Sequence, residues 1–293
     1  VGTTTAGPYV TTVAGNLSVA GLAASTGNCI QFGGLGKSAR FSFAPTAAVT
    51  VGTLYYSFLL KVTDPTGMSS SGIFFAGFNN TPGTQTNQPS VIGTRVYIRT
   101  AAGGFNLGLS KNSSTSSDWV WDSRVFTNNQ IIFIVGSYTF STNTSSDDSV
   151  SLWLNPSSAS FGAASPPTAS LTTTNGSDIS SSKIASFVFF QRDSAEPAAM
   201  LADELRIGPT WASVTPRPSA VLSTLSHLTP LTNATYQFTY TNTSGQPVGV
   251  YASSNLTSWT EVGVPQQVAP GVFQFTDTAA AGFPRRFYQL RAP

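Results

Sequence analysis

The sequence predicts an all-β fold: a large jelly-roll β-sandwich followed by a small β-sandwich domain. Three observations carry that prediction. Apolar, β-branched and aromatic residues recur in short runs with strand periodicity. Clusters of Ser, Thr, Asn and Gly punctuate the runs. No window of a dozen residues keeps a helical period, although 194–201 is read as one short helical turn.

Residues 53–62 form the first clear run, ending at the turn signal Asp64-Pro65-Thr66-Gly67. Residues 91–99, 131–140, 149–154 and 184–191 repeat it. In Val96-Tyr97-Ile98-Arg99 and Val150-Ser151-Leu152-Trp153-Leu154, alternate side chains fall on opposite faces of a strand. Residues 79–88 and 141–147 read as loops. Thr215-Pro216-Arg217-Pro218-Ser219 favours extended backbone and reads as a linker, dividing the chain into 1–216 and 217–293. The second part has its own strands at 236–240, 248–252, 272–276 and 287–290.

Composition narrows the function classes. Only 9% of residues are charged, against roughly 25% in an average soluble protein. The net charge is +2, and Lys and Arg are scattered singly apart from Arg285-Arg286. Without a basic stripe to release counterions, no nucleic-acid partner is expected. Cys29 is the only cysteine, which excludes an intramolecular disulfide and a multi-cysteine metal site; it reads as a buried, inert thiol. No apolar stretch approaches the ~20 residues of a membrane-spanning helix. A chain opening Val1-Gly2-Thr3-Thr4-Thr5 looks like a mature protein after signal removal, so a secreted, extracellular or cell-surface protein is expected.

Two resemblances add to this reading. Val150 to Pro156, the strand over 184–190, and Ala202-Asp203-Glu204-Leu205-Arg206-Ile207-Gly208 with Trp211 and Thr215-Pro216 resemble the concanavalin A-like, laminin-G-like jelly-roll domains of secreted bacterial proteins. Ser253-Ser254-Asn255-Leu256-Thr257-Ser258-Trp259 and Arg285-Arg286-Phe287-Tyr288-Gln289-Leu290 resemble a small carboxy-terminal β-domain common in exported bacterial proteins. Both imply export, display or attachment. The first also implies a structural calcium held by Asp203 and Glu204 with backbone carbonyls. Arg206 or a backbone N–H is the alternative partner for whichever carboxylate points inward.

Catalytic signatures are sparse. Twelve residues are Asp or Glu, and only Glu196, Glu204 and Glu261 are Glu, with no Glu-x-Asp-x-Glu run. His227 is the single histidine and no Gly-x-Ser-x-Gly elbow accompanies it. Gly33-Gly34-Leu35-Gly36-Lys37 reads as a turn, not a phosphate loop. A lyase using Tyr with Arg or Lys needs no histidine, so that route stays open. Trp119 and Trp121 share a face if their segment is a strand, with Asp118 and Asp122 nearby, and form the candidate carbohydrate platform; core packing is the competing role.

The expectation is therefore a secreted, non-catalytic structural or adhesive surface protein that self-assembles, its amino-terminal residues 1–13 pairing with a sheet edge. The alternative is a carbohydrate-binding module pair of a polysaccharide-degrading system. The expected partner is accordingly either a second copy or an extracellular polysaccharide.

Overall fold

The computed structural model describes residues 8–42, 48–82, 89–179, 183–218, 226–241 and 248–291. The chain folds as two compact units, Val1–Pro218 and Ser219–Pro293. In the large unit a seven-stranded sheet runs β1 (Thr11–Val13), β2 (Cys29–Phe32), β13 (Ala199–Gly208), β4 (Thr53–Asp64), β9 (Ile131–Thr139), β10 (Ser149–Leu154) and β11 (Leu171–Thr173). A six-stranded sheet runs β3 (Ala39–Ser42), β12 (Ser186–Phe189), β5 (Ile73–Asn79), β6 (Ile92–Ala101), β7 (Gly104–Ser110) and β8 (Val120–Trp121). The pairings between these strands are antiparallel, and β4 zips to β9 in unbroken register from Thr53↔Thr139 to Lys61↔Ile131.

The core between the sheets is rich in aromatic rings. Phe58 packs edge-on against Phe75 and Phe189, and Tyr56 against Phe78. Such pairs add about 0.5–1.5 kcal/mol each beyond the area they bury. The seven-stranded sheet is buried on its other face as well. There Leu59, Phe133, Val135 and Trp153 pack against Leu17, Leu22, Phe161 and a short helix α1 (Trp211–Val214). Burial on both sides explains why β4 and β9 are nearly continuous apolar runs without polar alternation. The outer face of the six-stranded sheet is different. It carries Phe74, Ile92, Tyr97, Val188 and Phe190, with Trp119 and Trp121 half-buried against them.

The small unit pairs β14 (Ser226–Pro230), β15 (Tyr236–Thr241), β19 (Val272–Asp277) and β18 (Gln266–Ala269) in one sheet. The other runs β17 (Thr260–Gly263), β16 (Gly249–Ser253) and β20 (Phe287–Arg291). Phe238, Tyr240, Val250 and Ala252 are buried in it, and Phe238 touches Phe275 and Tyr288.

The all-β class holds, and the five long strands read from the sequence of the large unit correspond to β4, β6, β9, β10 and β12. Strands β5 and β7 went unread because Gly77, Gly104 and Gly108 interrupt them. Residues 194–201 are not helical: a turn leads into β13 at Ala199. The amino-terminal segment contributes β1, which pairs with β2 of its own unit; residues 1–7 and most of the 79–88 loop lie outside the described residues. No helix among the described residues is long and apolar enough to cross a membrane.

Gly136, on β9, faces the ring of Tyr56, where a Cβ would lie 2.2 Å from Tyr56 Cζ. The ring is pinned, since its hydroxyl donates to Thr94 O at 3.1 Å in a fully buried site. Gly136→Ala is therefore expected to destabilise the protein by about 1–3 kcal/mol, as overpacked cores do. Urea unfolding checks this; an unchanged midpoint would mean that the ring has room to move.

Candidate functional site

Strand β6 alternates. Val96 and Ile98 enter the core, while Arg95, Tyr97 and Arg99 emerge on the outer face of the six-stranded sheet. Register places Phe74 opposite Tyr97, Tyr97 opposite Gly108, and Gly108 opposite Trp121. These four positions form one row across the sheet. Gly108 is what lets Trp121 lie down on it, because a Cβ there would sit 2.7 Å from Trp121 Cε3. Trp119 covers Tyr97 with ring centroids 4.3 Å apart, and its indole N–H donates to Ser113 O at 3.2 Å. Trp119 and Trp121 are edge-to-face at 6.5 Å.

Three guanidiniums lie on these rings. Arg95 is 4.8 Å and Arg192 4.1 Å from the centroid of Phe74, and Arg99 is 4.1 Å from that of Trp121. Arg95 is almost fully buried, yet its partners are neutral. Its Nε donates to Ile92 O (3.0 Å), Nη1 to Ser113 O and Ser114 Oγ (3.1 Å each), and Nη2 to Asn112 Oδ1 (3.0 Å). Arg99 Nε reaches Asn106 Oδ1 at 3.5 Å, and Arg192 Nε is buried without a hydrogen-bond partner. The ion pairs among the described residues are Lys111–Asp178, Arg124–Asp122, Arg206–Glu204 and Arg286–Asp277. None of the three face arginines belongs to them. Burial first, and then the neighbouring Arg192, hold the Arg95 pKa below the usual guanidinium value, but arginine stays charged at any ordinary pH. Burial pushes the Tyr97 phenol up, Arg95 opposing, and the hydroxyl donates to Ser113 O at 3.2 Å.

Of the expected platform, the structure brings Trp119 and Trp121 together on this face, whereas the two carboxylates are engaged elsewhere. Asp118 Oδ2 accepts from Ser113 Oγ at 2.5 Å. Asp122 is buried and gripped by Arg124 through Nε (2.8 Å) and Nη2 (2.7 Å), which with the Arg124 backbone N–H holds its pKa below the usual carboxylate range. The sequence reading missed Arg95, Arg99 and Arg192. The alternation Arg95-x-Tyr97-x-Arg99 was the available signal for the first two.

The calcium expected at Asp203 and Glu204 meets carboxylates already occupied. A β-bulge interrupts the β13–β4 register between Asp203 and Arg206, and Glu204 takes a left-handed φ of 54°. Asp203 Oδ2 accepts the Leu17 N–H at 2.7 Å and its Oδ1 the Glu204 N–H at 2.8 Å. Glu204 accepts the Thr26 N–H at 2.8 Å and pairs with the Arg206 guanidinium. The carboxylates are thus met by backbone N–H groups and by the Arg206 guanidinium. A different group, Asp147, Asp148 and Asp178, brings one carboxylate oxygen each within 4.8 Å of one another and can hold a metal ion. The fully buried Lys111 adds positive charge beside them, donating to Asp178 Oδ1 at 2.7 Å and Ser146 O at 2.9 Å.

No family model matches the chain, and no curated protein does. Several solved structures do. An endo-β-1,4-glucuronan lyase from the fungus Trichoderma reesei is 9% identical, with a TM-score of 0.45 over 72% of this chain and 91% of that one. An alginate lyase from Aplysia kurodai is 11% identical, with a TM-score of 0.36 over 68% and 86%. The binding domain of Botulinum neurotoxin serotype D is 11% identical, with a TM-score of 0.38 over 84% and 55%. At these identities the likeness concerns the fold. The expectation of a non-catalytic structural or adhesive protein, with no enzyme, is corrected here: polysaccharide lyases recur among the matches, and the polysaccharide-degrading alternative agrees with them better.

Gly108→Ala should lift Trp121 off the sheet, reported as a red shift of tryptophan emission; an unchanged spectrum would show that the indole slides aside within its pocket. Glu196 is fully buried near Arg192, with Oε2 unpartnered, and burial pushes its pKa well up. Below the ordinary carboxylate range of about 4.3, folded and unfolded chains are both protonated and no penalty applies. Above it the unfolded chain ionises first, so stability falls as pH rises. Glu196→Gln should therefore melt higher than the parent near pH 8 and equally near pH 4, as followed by thermal unfolding.

Proposed function

We propose that the large unit holds an acidic polysaccharide on the outer face of the six-stranded sheet, as part of a polysaccharide-degrading system. The observation that carries this reading is the pair Arg95 and Arg192. Both guanidiniums stack on the one ring of Phe74, and neither is in an ion pair. Like charges gathered without an ion-pair partner among the described residues repel, and an arriving carboxylate relieves that repulsion while gaining charge-assisted hydrogen bonds. Arg99 beside Trp121 offers the same chemistry further along β6. Trp119 and Trp121 supply aromatic surface for sugar faces. In a chain with only 14 Lys and Arg residues, three on one face is a concentration of charge. An extracellular setting belongs to the same proposal, supported by the sparse charge and Ser/Thr/Asn-rich composition.

Electrophoresis through gels containing a polyuronate or a neutral glucan tests it. The polyuronate is expected to retard the protein, less so at higher salt, and the glucan is not. Arg192→Ala and Arg99→Ala should each weaken retention about tenfold or more, since a hydrogen bond to a charged group contributes roughly 1.5–3 kcal/mol. Retention by the polyuronate that neither substitution weakens, or no retention at all, overturns the reading. Release of unsaturated uronate ends in the same samples would extend holding to cleavage.

A further inference from the structure

The small unit repeats the arrangement of the large one on an unrelated sheet. In the register of β16 with its neighbours, Tyr251 pairs with Gln289 and Glu261, and Gly249 with Arg291. These side chains therefore share the face opposite the buried Val250 and Ala252. Gln289, Arg291 and Glu261 are exposed, and Tyr251 is half-buried. The Arg291 guanidinium lies 4.6 Å from the centroid of Tyr251 and 5.8 Å from that of Trp259. Its Nη2 donates to Gln289 Oε1 at 3.4 Å. Arg99 has the same three companions in kind: an indole beneath it, an adjacent ring in Tyr97, and a side-chain amide in Asn106.

Gly249 lies at the centre of the small-unit face, with Tyr251 and Glu261 close against it. Gly249 has no side chain there, and a Cβ would lie 3.0 Å from Glu261 Oε1 and 3.1 Å from Tyr251 Cε2. Glu261 leans on the Tyr251 hydroxyl, which donates to its Oε2 at 3.3 Å, and forms no ion pair with Arg291. Among the described residues, Arg291 thus has two rings and an amide against it and no ion-pair partner. An exposed guanidinium backed by aromatic rings suits a carboxylate carried on a sugar ring: the charge meets the acid and the rings meet the sugar's apolar face.

We propose that the small unit carries a second site for the same acidic polysaccharide, formed by Tyr251, Trp259, Gln289 and Arg291; the identity of the ligand rests on the reading given for the large unit. A chain that engages both sites makes the second contact intramolecular, so each site raises the retention due to the other.

The test uses the full chain in polyuronate gels, comparing the parent with Arg291→Ala, Arg291→Lys, Trp259→Ala, Arg99→Ala/Arg192→Ala, and that double variant with Arg291→Ala added. Arg291→Ala and Trp259→Ala are expected to weaken retention on the order of tenfold, and Arg291→Lys less. The triple variant is expected to run as if no polyuronate were present. Unchanged retention for Arg291→Ala and Trp259→Ala, with the triple variant no weaker than the double, overturns the second site alone. An unaffected double variant with a weakened Arg291→Ala overturns the large-unit reading and leaves the small-unit site standing. A parent that no polyuronate retains overturns both. Matching thermal melts of the variants exclude unfolding as the cause.

Discussion

The large unit depends on the seven-stranded sheet being dry on both sides. Its inner face meets the aromatic core, and its outer face is sealed by Trp211, Phe161, Leu17 and Leu22. The sealing segments bring polar partners with them: the Trp211 indole donates to Ser160 O, and Ser57 Oγ to Val214 O. Backbone and side-chain polar groups that would be costly in such a place are thereby satisfied. A sheet held from both sides is a rigid base. It leaves the outer face of the six-stranded sheet as the surface on which charged and aromatic side chains can be spent on something other than the core.

That surface is preorganised. Arg95 is fixed by four hydrogen bonds to carbonyl, hydroxyl and amide oxygens, so its position costs nothing further when an anion arrives. Arg192 and Arg99 are held more loosely, by ring faces, and are the groups able to swing toward a ligand. Trp121 is flat on the sheet only because residue 108 has no side chain. The same logic is met on a smaller scale around Gly249, where a bare strand centre is ringed by Tyr251, Glu261 and Arg291.

Much of the scaffold was legible in the sequence. Long runs such as those of β4 and β9 announce themselves because both faces are buried, and Trp119 with Trp121 stood out by their spacing. What was illegible depended on contacts made across the chain. Strands β5 and β7 carry glycines required by a neighbour's bulk, and propensity reads those glycines as breaks. The bulge at Glu204 shifts strand parity, so a rule of alternating faces could not tell where Asp203 and Glu204 point. The arginine cluster joins residue 192 to residues 95 and 99 through the pairing of three strands, and only Arg95-x-Tyr97-x-Arg99 left a local trace. Lys111 gave none, because nothing near it in sequence reveals that Asp178 waits 67 positions away.

Arg95 has one further implication. A histidine or carboxylate at the heart of such a face would gain or lose its charge within the range of natural acidity, and its grip would come and go with protons. A guanidinium enclosed by carbonyls has no such switch. On the proposed reading, the part of the grip that Arg95 supplies is governed by the competing salt around it rather than by the sourness of the medium.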